Sequence, residues 1–190
     1  MRKHIRLSVL IISTFCFTSF ILNDVEVEGV KFPSVVTFNN EKLIFNGGGA
    51  REKMDINLYV AALYLKSKQS DRSAILKNNN TLLIKMQVVS ELVTKEKMAT
   101  AIEVSFDKSL GGNKNNYRKE IDLFKFAFKD EIAEGDKFDV AYIHGKGVCL
   151  FKNGVQKVTI SKEGFKEGVF DIWLGENPIQ EDLRDGLLGK

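Results

Sequence analysis

The sequence predicts an α+β fold built on one large, mostly antiparallel sheet. Three observations carry that prediction. Strand-like runs come in two groups, each followed by helical runs, and do not alternate one-for-one with helices as a parallel sheet would require. Neighbouring strand runs are joined by short turn signals, of which Asn153-Gly154 is the strongest. From Leu58 to Leu65 only two tyrosine hydroxyls are polar, so this run reads as a strand buried on both faces.

Taken in order, Val25 to Val30 and Ser34 to Phe38 read as short strands, and Glu41 to Phe45 pairs back through Asn39-Asn40. Asn46-Gly47-Gly48-Gly49 reads as a turn, because these residues accept backbone angles that others avoid. Arg51 follows it directly, and Ile56 to Leu65 is the long strand. Pleat alternation puts Tyr59, Ala61, Leu63 and Leu65 on one face of that strand and Tyr64 on the other. A short helix from Asp71 to Lys77, opened at Ser70 and ended by Asn78-Asn79-Asn80, leads to a strand from Leu82 to Val89. Thr94 is the N-cap of a helix from Lys95 to Leu110, with Met98, Ala101, Ile102, Ser105 and Phe106 at helical spacing and Gly111-Gly112 as its stop. A second helix, Tyr117 to Ile132, aligns Ile121, Phe124, Phe128 and Ile132 on one stripe. Strands follow at Lys137 to Ile143, Gly147 to Lys152 and Val155 to Ser161, then helices at Lys162 to Leu174 and Gln180 to Leu188, with Pro178 between them. With no internal repeat and no low-complexity linker, residues 25–190 form a single domain.

Residues 1–22 are a different kind of sequence. Arg2, Lys3 and Arg6 precede an uncharged apolar and hydroxylated stretch from Leu7 to Leu22, the composition of a secretory signal peptide. The stretch is short for a membrane span, which needs about 20 apolar residues. The expectation is therefore an exported protein, periplasmic or secreted, that meets a membrane only through this leader if it is uncleaved. The chain holds 28 Lys+Arg and 25 Asp+Glu; three of the basic residues and none of the acids lie in the leader, which leaves 25 of each beyond it. A neutral mature chain argues for no nucleic-acid partner. Cys149 alone remains beyond the leader, so no internal disulfide can form, and the run Val148-Cys149-Leu150-Phe151 reads it as a small buried apolar residue.

Several chemistries are excluded by residue count and spacing. His144 is the sole histidine beyond the leader and sits in a glycine-flanked turn, so a site with several imidazoles cannot form, and no metal or cofactor is expected. Gly47 to Gly49 do not make a phosphate loop, since Glu52 stands where that pattern would continue. What remains is the segment from Asn46 to Lys66. A permanently charged guanidinium, Arg51, at the mouth of an apolar strand is a means of holding an anionic head group above a greasy tail.

That segment, with Val30-Lys31-Phe32-Pro33, Tyr142-Ile143-His144-Gly145-Lys146-Gly147, Ile172-Trp173-Leu174-Gly175-Glu176-Asn177-Pro178 and Leu183, resembles the chalcone isomerase superfamily, and within it the bacterial chalcone-isomerase-like branch. The resemblance covers roughly residues 25–189. It implies an open-faced β-sandwich, a large antiparallel sheet with helices layered on one face. In the plant enzymes of that superfamily an arginine steers a phenolate, a threonine and a tyrosine organise an activating water, and an asparagine and a second threonine contact the substrate. Carried over by position, the arginine is Arg51, the first threonine is Tyr59, the tyrosine falls near Thr94, the asparagine near Ala101 and the second threonine at Ile172. Only Arg51 keeps the residue type. Loss of the water-holding hydroxyls argues against chalcone cyclisation, each such group being worth a few kcal/mol.

The resemblance thus implies a cleft with Arg51 and Tyr59 as ligand contacts and Thr94, Ala101 and Ile172 along its wall. It matches the non-catalytic, fatty-acid-binding relatives, whose ligand is a small amphipathic anion. Two rivals stand beside this reading. One is an intramolecular lyase or isomerase of another substrate, with Arg51 at an oxyanion and Tyr59 as acid or base. The other is a cell-envelope interaction module, which a closed pocket or a large exposed apolar patch would favour. Trp173 and the phenylalanine stripe are expected to be core.

Overall fold

The computed structural model describes residues 23–190, so the leader assignment lies outside the described residues. Among the described residues, nine strands and five α-helices follow one another as β1 (Asp24–Val27), β2 (Val30–Pro33), β3 (Val35–Phe38), β4 (Glu41–Lys53), β5 (Ile56–Leu65), α1 (Arg72–Lys77), β6 (Leu82–Val88), α2 (Lys95–Leu110), α3 (Arg118–Phe126), β7 (Lys137–Ile143), β8 (Gly147–Lys152), β9 (Val155–Ile160), α4 (Phe165–Leu174) and α5 (Glu181–Leu187). A 3₁₀ segment, Gly111–Tyr117, joins α2 to α3. Strands β3 to β9 form one seven-stranded sheet in sequence order, antiparallel at every step. The predicted α+β class and antiparallel sheet are what the chain adopts.

The tight turns follow the residues that tolerate left-handed backbone. Asn39 and Asn40 (φ 48° and 61°) close β3–β4, and Asn153 and Gly154 (φ 50° and 79°) close β8–β9. The run read as a single strand from Val25 to Val30 is instead a hairpin, because Glu28 and Gly29 (φ 45° and 77°) reverse the chain and send β2 back along β1. That hairpin covers the sheet face opposite the helices. Val30 and Phe32 pack there on Leu43, Val60, Ala62, Tyr64, Ala141 and Cys149, and the Tyr64 hydroxyl donates to the Pro33 carbonyl at 2.8 Å. The other face carries the larger core, in which Tyr59, Ala61, Leu63 and Leu65 meet α2, α3, α4 and α5. Both faces of β5 are buried, as its uninterrupted apolar character requires.

Asn46-Gly47-Gly48-Gly49 is not a turn. It lies inside β4, which runs thirteen residues without a break, and the reversal comes later at Met54 and Asp55 (φ 52° and 61°). Gly47 is there because α5 crosses β4 backbone to backbone, whereas a Cβ on Gly48 would meet the Ala61 carbonyl oxygen at 2.9 Å and Val27 at 3.0 Å. A Cβ on Gly47 would lie 2.1 Å from the Gly186 carbonyl oxygen, and one on Gly186 would lie 2.5 Å from the Gly48 carbonyl oxygen. Asn46 sits at a bulge in the ladder and is buried. Its Nδ2 donates to the Gln69 and Leu187 carbonyls at 3.0 and 2.9 Å, and its Oδ1 accepts from the Gln69 amide at 2.8 Å. One side chain thereby ties β4 to the chain leaving β5 and to the end of α5.

The second predicted long helix is also shorter than its stripe. α3 ends at Phe126, although Phe128 remains buried. The Phe128 ring stacks on Phe138 of β7 with centroids 4.8 Å apart, and Lys152 of β8 donates to the Glu131 carbonyl. Packing against the sheet draws the chain out of the helix where spacing alone would have continued it. Glu103 of α2 accepts from Arg118 at 2.6 Å and from Lys125 at 3.0 Å, at the two ends of α3, pinning the two helices together.

Replacing Gly47 by alanine should lower stability by about 2 kcal/mol, read from the urea midpoint, because the new methyl must push α5 off the strand. Gly112→Ala, where an added Cβ meets nothing within 4 Å, should leave the midpoint unchanged or slightly raised.

Candidate functional site

A cavity of about 730 Å³ opens between the helix face of the sheet and α2, within the range of small-molecule sites. Its floor is Tyr59 of β5 and Met86 of β6; Phe124 and Phe128 close one end, and Ile172 and Trp173 of α4 form a wall. α2 supplies the facing wall with Met98, Ala101, Ile102 and Ser105, the i, i+3, i+4, i+7 stripe of an amphipathic helix. The cavity exists because α2 carries short side chains, Ala101 and Ser105, where it faces the sheet.

Arg51 stands at the mouth. In β4 it is the direct ladder partner of Tyr59, so both side chains project to the helix face. Its Nη1 donates to the side-chain oxygen of Gln180 at 2.8 Å and to the Glu52 carbonyl at 2.6 Å, and the same Gln180 oxygen accepts the Glu52 amide at 2.9 Å. Gln180 is the N-cap residue of α5. The guanidinium is thus oriented entirely by neutral oxygens, and among the described residues it forms no ion pair. Its charge remains uncompensated at the edge of an apolar space.

Tyr59 is buried on the cavity floor, and the Trp173 indole N–H donates to its hydroxyl oxygen at 3.1 Å. An indole N–H can only donate, so the Tyr59 hydrogen stays available to an acceptor in the cavity. Burial pushes the Tyr59 phenol up to about 12, against smaller opposing effects of the Trp173 hydrogen bond and the Arg51 charge. Tyr59 is therefore a neutral donor at physiological pH and not a base.

Of the residues singled out in the sequence, Arg51, Tyr59, Ala101 and Ile172 come together around this cavity, and Thr94 does not. The Thr94 hydroxyl is occupied in capping α2, where it accepts the Lys97 amide at 3.3 Å. Two residues escaped the sequence reading. Trp173 was expected in the core and is buried, but it also lines the cavity and holds Tyr59. Gln180 lies 129 residues from Arg51, and no local pattern links them. His144, exposed in the β7–β8 turn, lies outside the cavity lining.

The sequence profile of the chalcone isomerase-like family matches residues 24–189. The chain belongs to the chalcone isomerase-like family. Among solved structures this chalcone isomerase-like chain is similar to a fatty-acid binding protein of Arabidopsis thaliana, at 15% identity and a TM-score of 0.66, with 84% of this chain and 92% of that one covered. At that identity the likeness establishes the fold. No match is found among proteins with curated descriptions.

The folded chalcone isomerase-like domain should lose stability as pH rises from about 10 to 12. The unfolded chain releases the Tyr59 proton near 10, whereas the folded state holds it to about 12, so this contribution is intact below pH 10 and gone above 12. Two units correspond to about 3 kcal/mol. Tyr64, also raised by burial, adds in the same direction. Urea midpoints measured across this range should fall less steeply in Tyr59→Phe than in the parent; equal slopes would show that Tyr59 does not carry the effect.

Proposed function

We propose that the protein is an exported member of the bacterial branch of its family, and that it binds a small amphipathic anion such as a fatty acid without converting it. One observation carries the reading: an arginine with no acidic partner stands at the mouth of an apolar cavity. A carboxylate placed there would gain a charge-assisted bond to Arg51, and the Tyr59 hydroxyl would supply a second donor. The alkyl tail would lie between α2 and the sheet, against Ala101 and Ile172, where the catalytic relatives present polar groups. The similar solved structure is described as a fatty-acid binding protein, which agrees with this assignment. A Tyr59 phenol raised by burial and bonded to Trp173 disfavours its use as a base.

The test is mass spectrometry of organic extracts from the purified parent and from Arg51→Ala prepared identically. The parent should carry a stoichiometric organic acid and the variant should not, with affinity for that acid lowered about 10- to 100-fold. Unchanged affinity in Arg51→Ala would refute the assignment.

Gln180→Glu gives a second expectation. It keeps the shape of the Gln180 side chain but places a carboxylate on the Arg51 guanidinium. Titration should show affinity for a long-chain acid falling about tenfold or more while a long-chain alcohol binds as before. Parallel losses for acid and alcohol would mean that Arg51 does not select for charge.

A further inference from the structure

The mouth of the cavity is rimmed by apolar side chains that the fold leaves in solvent. Met54 is 85% exposed and Ile56 43% at the β4–β5 reversal, Leu92 is 47% exposed before α2, and Val104 is 51% exposed on α2. Seven large apolar residues are exposed among the described residues, and these four line this one cavity. Met54 is the most telling. It occupies a left-handed turn position (φ 52°) that suits asparagine or glycine, and it contributes nothing to either core. Neither the turn nor the core accounts for a methionine at that position. The charges around the opening are biased as well: Arg51, Lys53, Lys97 and Lys108 line the cavity against the single acid Glu96, while Glu52 and Asp55 of the same hairpin do not line it. Beyond the leader, the chain as a whole is balanced.

We propose that this rim is a docking face for an anionic lipid bilayer, with Met54, Ile56 and Leu92 entering the interface and the lysines lying at head-group level. Lysine stems run along apolar surface while their ammonium groups stay at the polar boundary, and each lysine or arginine near an anionic surface adds to the attraction. A folded protein seated here would cap the cavity, whereas a bilayer leaves the opening facing the apolar phase from which an amphipathic ligand comes. This surface is distinct from the leader, the only membrane contact expected from the sequence. The inference deepens the ligand-binding reading by naming the source of the ligand, and the docking face itself is measured without ligand.

The test uses the full chain with Cys16→Ser, so that the buried Cys149 is the only native thiol. Met54→Cys, Leu92→Cys and Val155→Cys each carry an environment-sensitive fluorophore; Val155 is exposed on the edge strand β9 and serves as control. Vesicles of phosphatidylcholine and phosphatidylglycerol in equal parts are then added, with a quencher carried in the acyl chains. Probes at 54 and 92 should shift to the blue and be quenched, the probe at 155 should not, and the effect should weaken in high salt and in vesicles of phosphatidylcholine alone. Equal quenching at all three positions, or quenching at 155 alone, would place the membrane contact elsewhere and overturn the proposal. Absence of quenching at 54 and 92 would also overturn it, as a rim that serves a protein partner would show. Adding Arg51→Ala separates the two readings: ligand lost in that variant with quenching at 54 and 92 retained leaves the docking face standing, and a parent that carries the ligand but shows no quenching leaves the binding site standing without the docking face.

Discussion

The close crossing of α5 over β4 is the constraint on which the site depends. Two backbones approach until no Cβ fits on Gly47 or Gly186, and Asn46 bonds the end of α5 to the strand. This seats α5 with its N-cap residue, Gln180, beside Arg51, and Gln180 then sets the direction of the guanidinium. Were α5 displaced by the width of one methyl group, the arginine would lose its neutral partner. Gly47 and Gly186 set the direction of a cavity-mouth charge without lining the cavity.

A second consequence concerns the two faces of the sheet. The β1–β2 hairpin closes one face with a continuous apolar contact, and Tyr64 finishes that contact by bonding to Pro33. The helix face is closed only in part, because α2 brings alanine and serine where bulkier residues would fill the space. The central strand therefore has a solid side and a hollow side, and Tyr59 and Tyr64, five residues apart, lie on opposite ones. The hollow side is also where the arginine without an acidic partner stands, so the apolar space and the guanidinium at its mouth arise from the same strand pair.

Much of this organisation is legible in the chain because it rests on local rules. Pleat alternation was sufficient to separate Tyr59 from Tyr64, and the Thr94 cap and Gly111 stop delimit α2 at Lys95–Leu110. The two-residue turns at Asn39-Asn40 and Asn153-Gly154 are equally local. The failures share a cause as well. Three consecutive glycines look the same whether they permit a turn or a helix crossing, and the residue that decides between these, Gly186, is far away in sequence. The end of α3 is set by Phe138 and Lys152 of the sheet, not by its own stripe. Of the site, Arg51 stands out by its place before an apolar strand, Tyr59, Ala101 and Ile172 were reached through the family resemblance, and Gln180 and the second role of Trp173 emerge only when distant segments meet.

The distance along the chain between Arg51 and Gln180 also orders events in time. Arg51 is in place early in synthesis, but its orienting partner is made 129 residues later, and the sheet strands all precede that partner. The cavity walls can assemble while the guanidinium is still unguided. Seating of α5 would then be the last step of maturation, and the one that gives a formed hollow an oriented charge at its mouth.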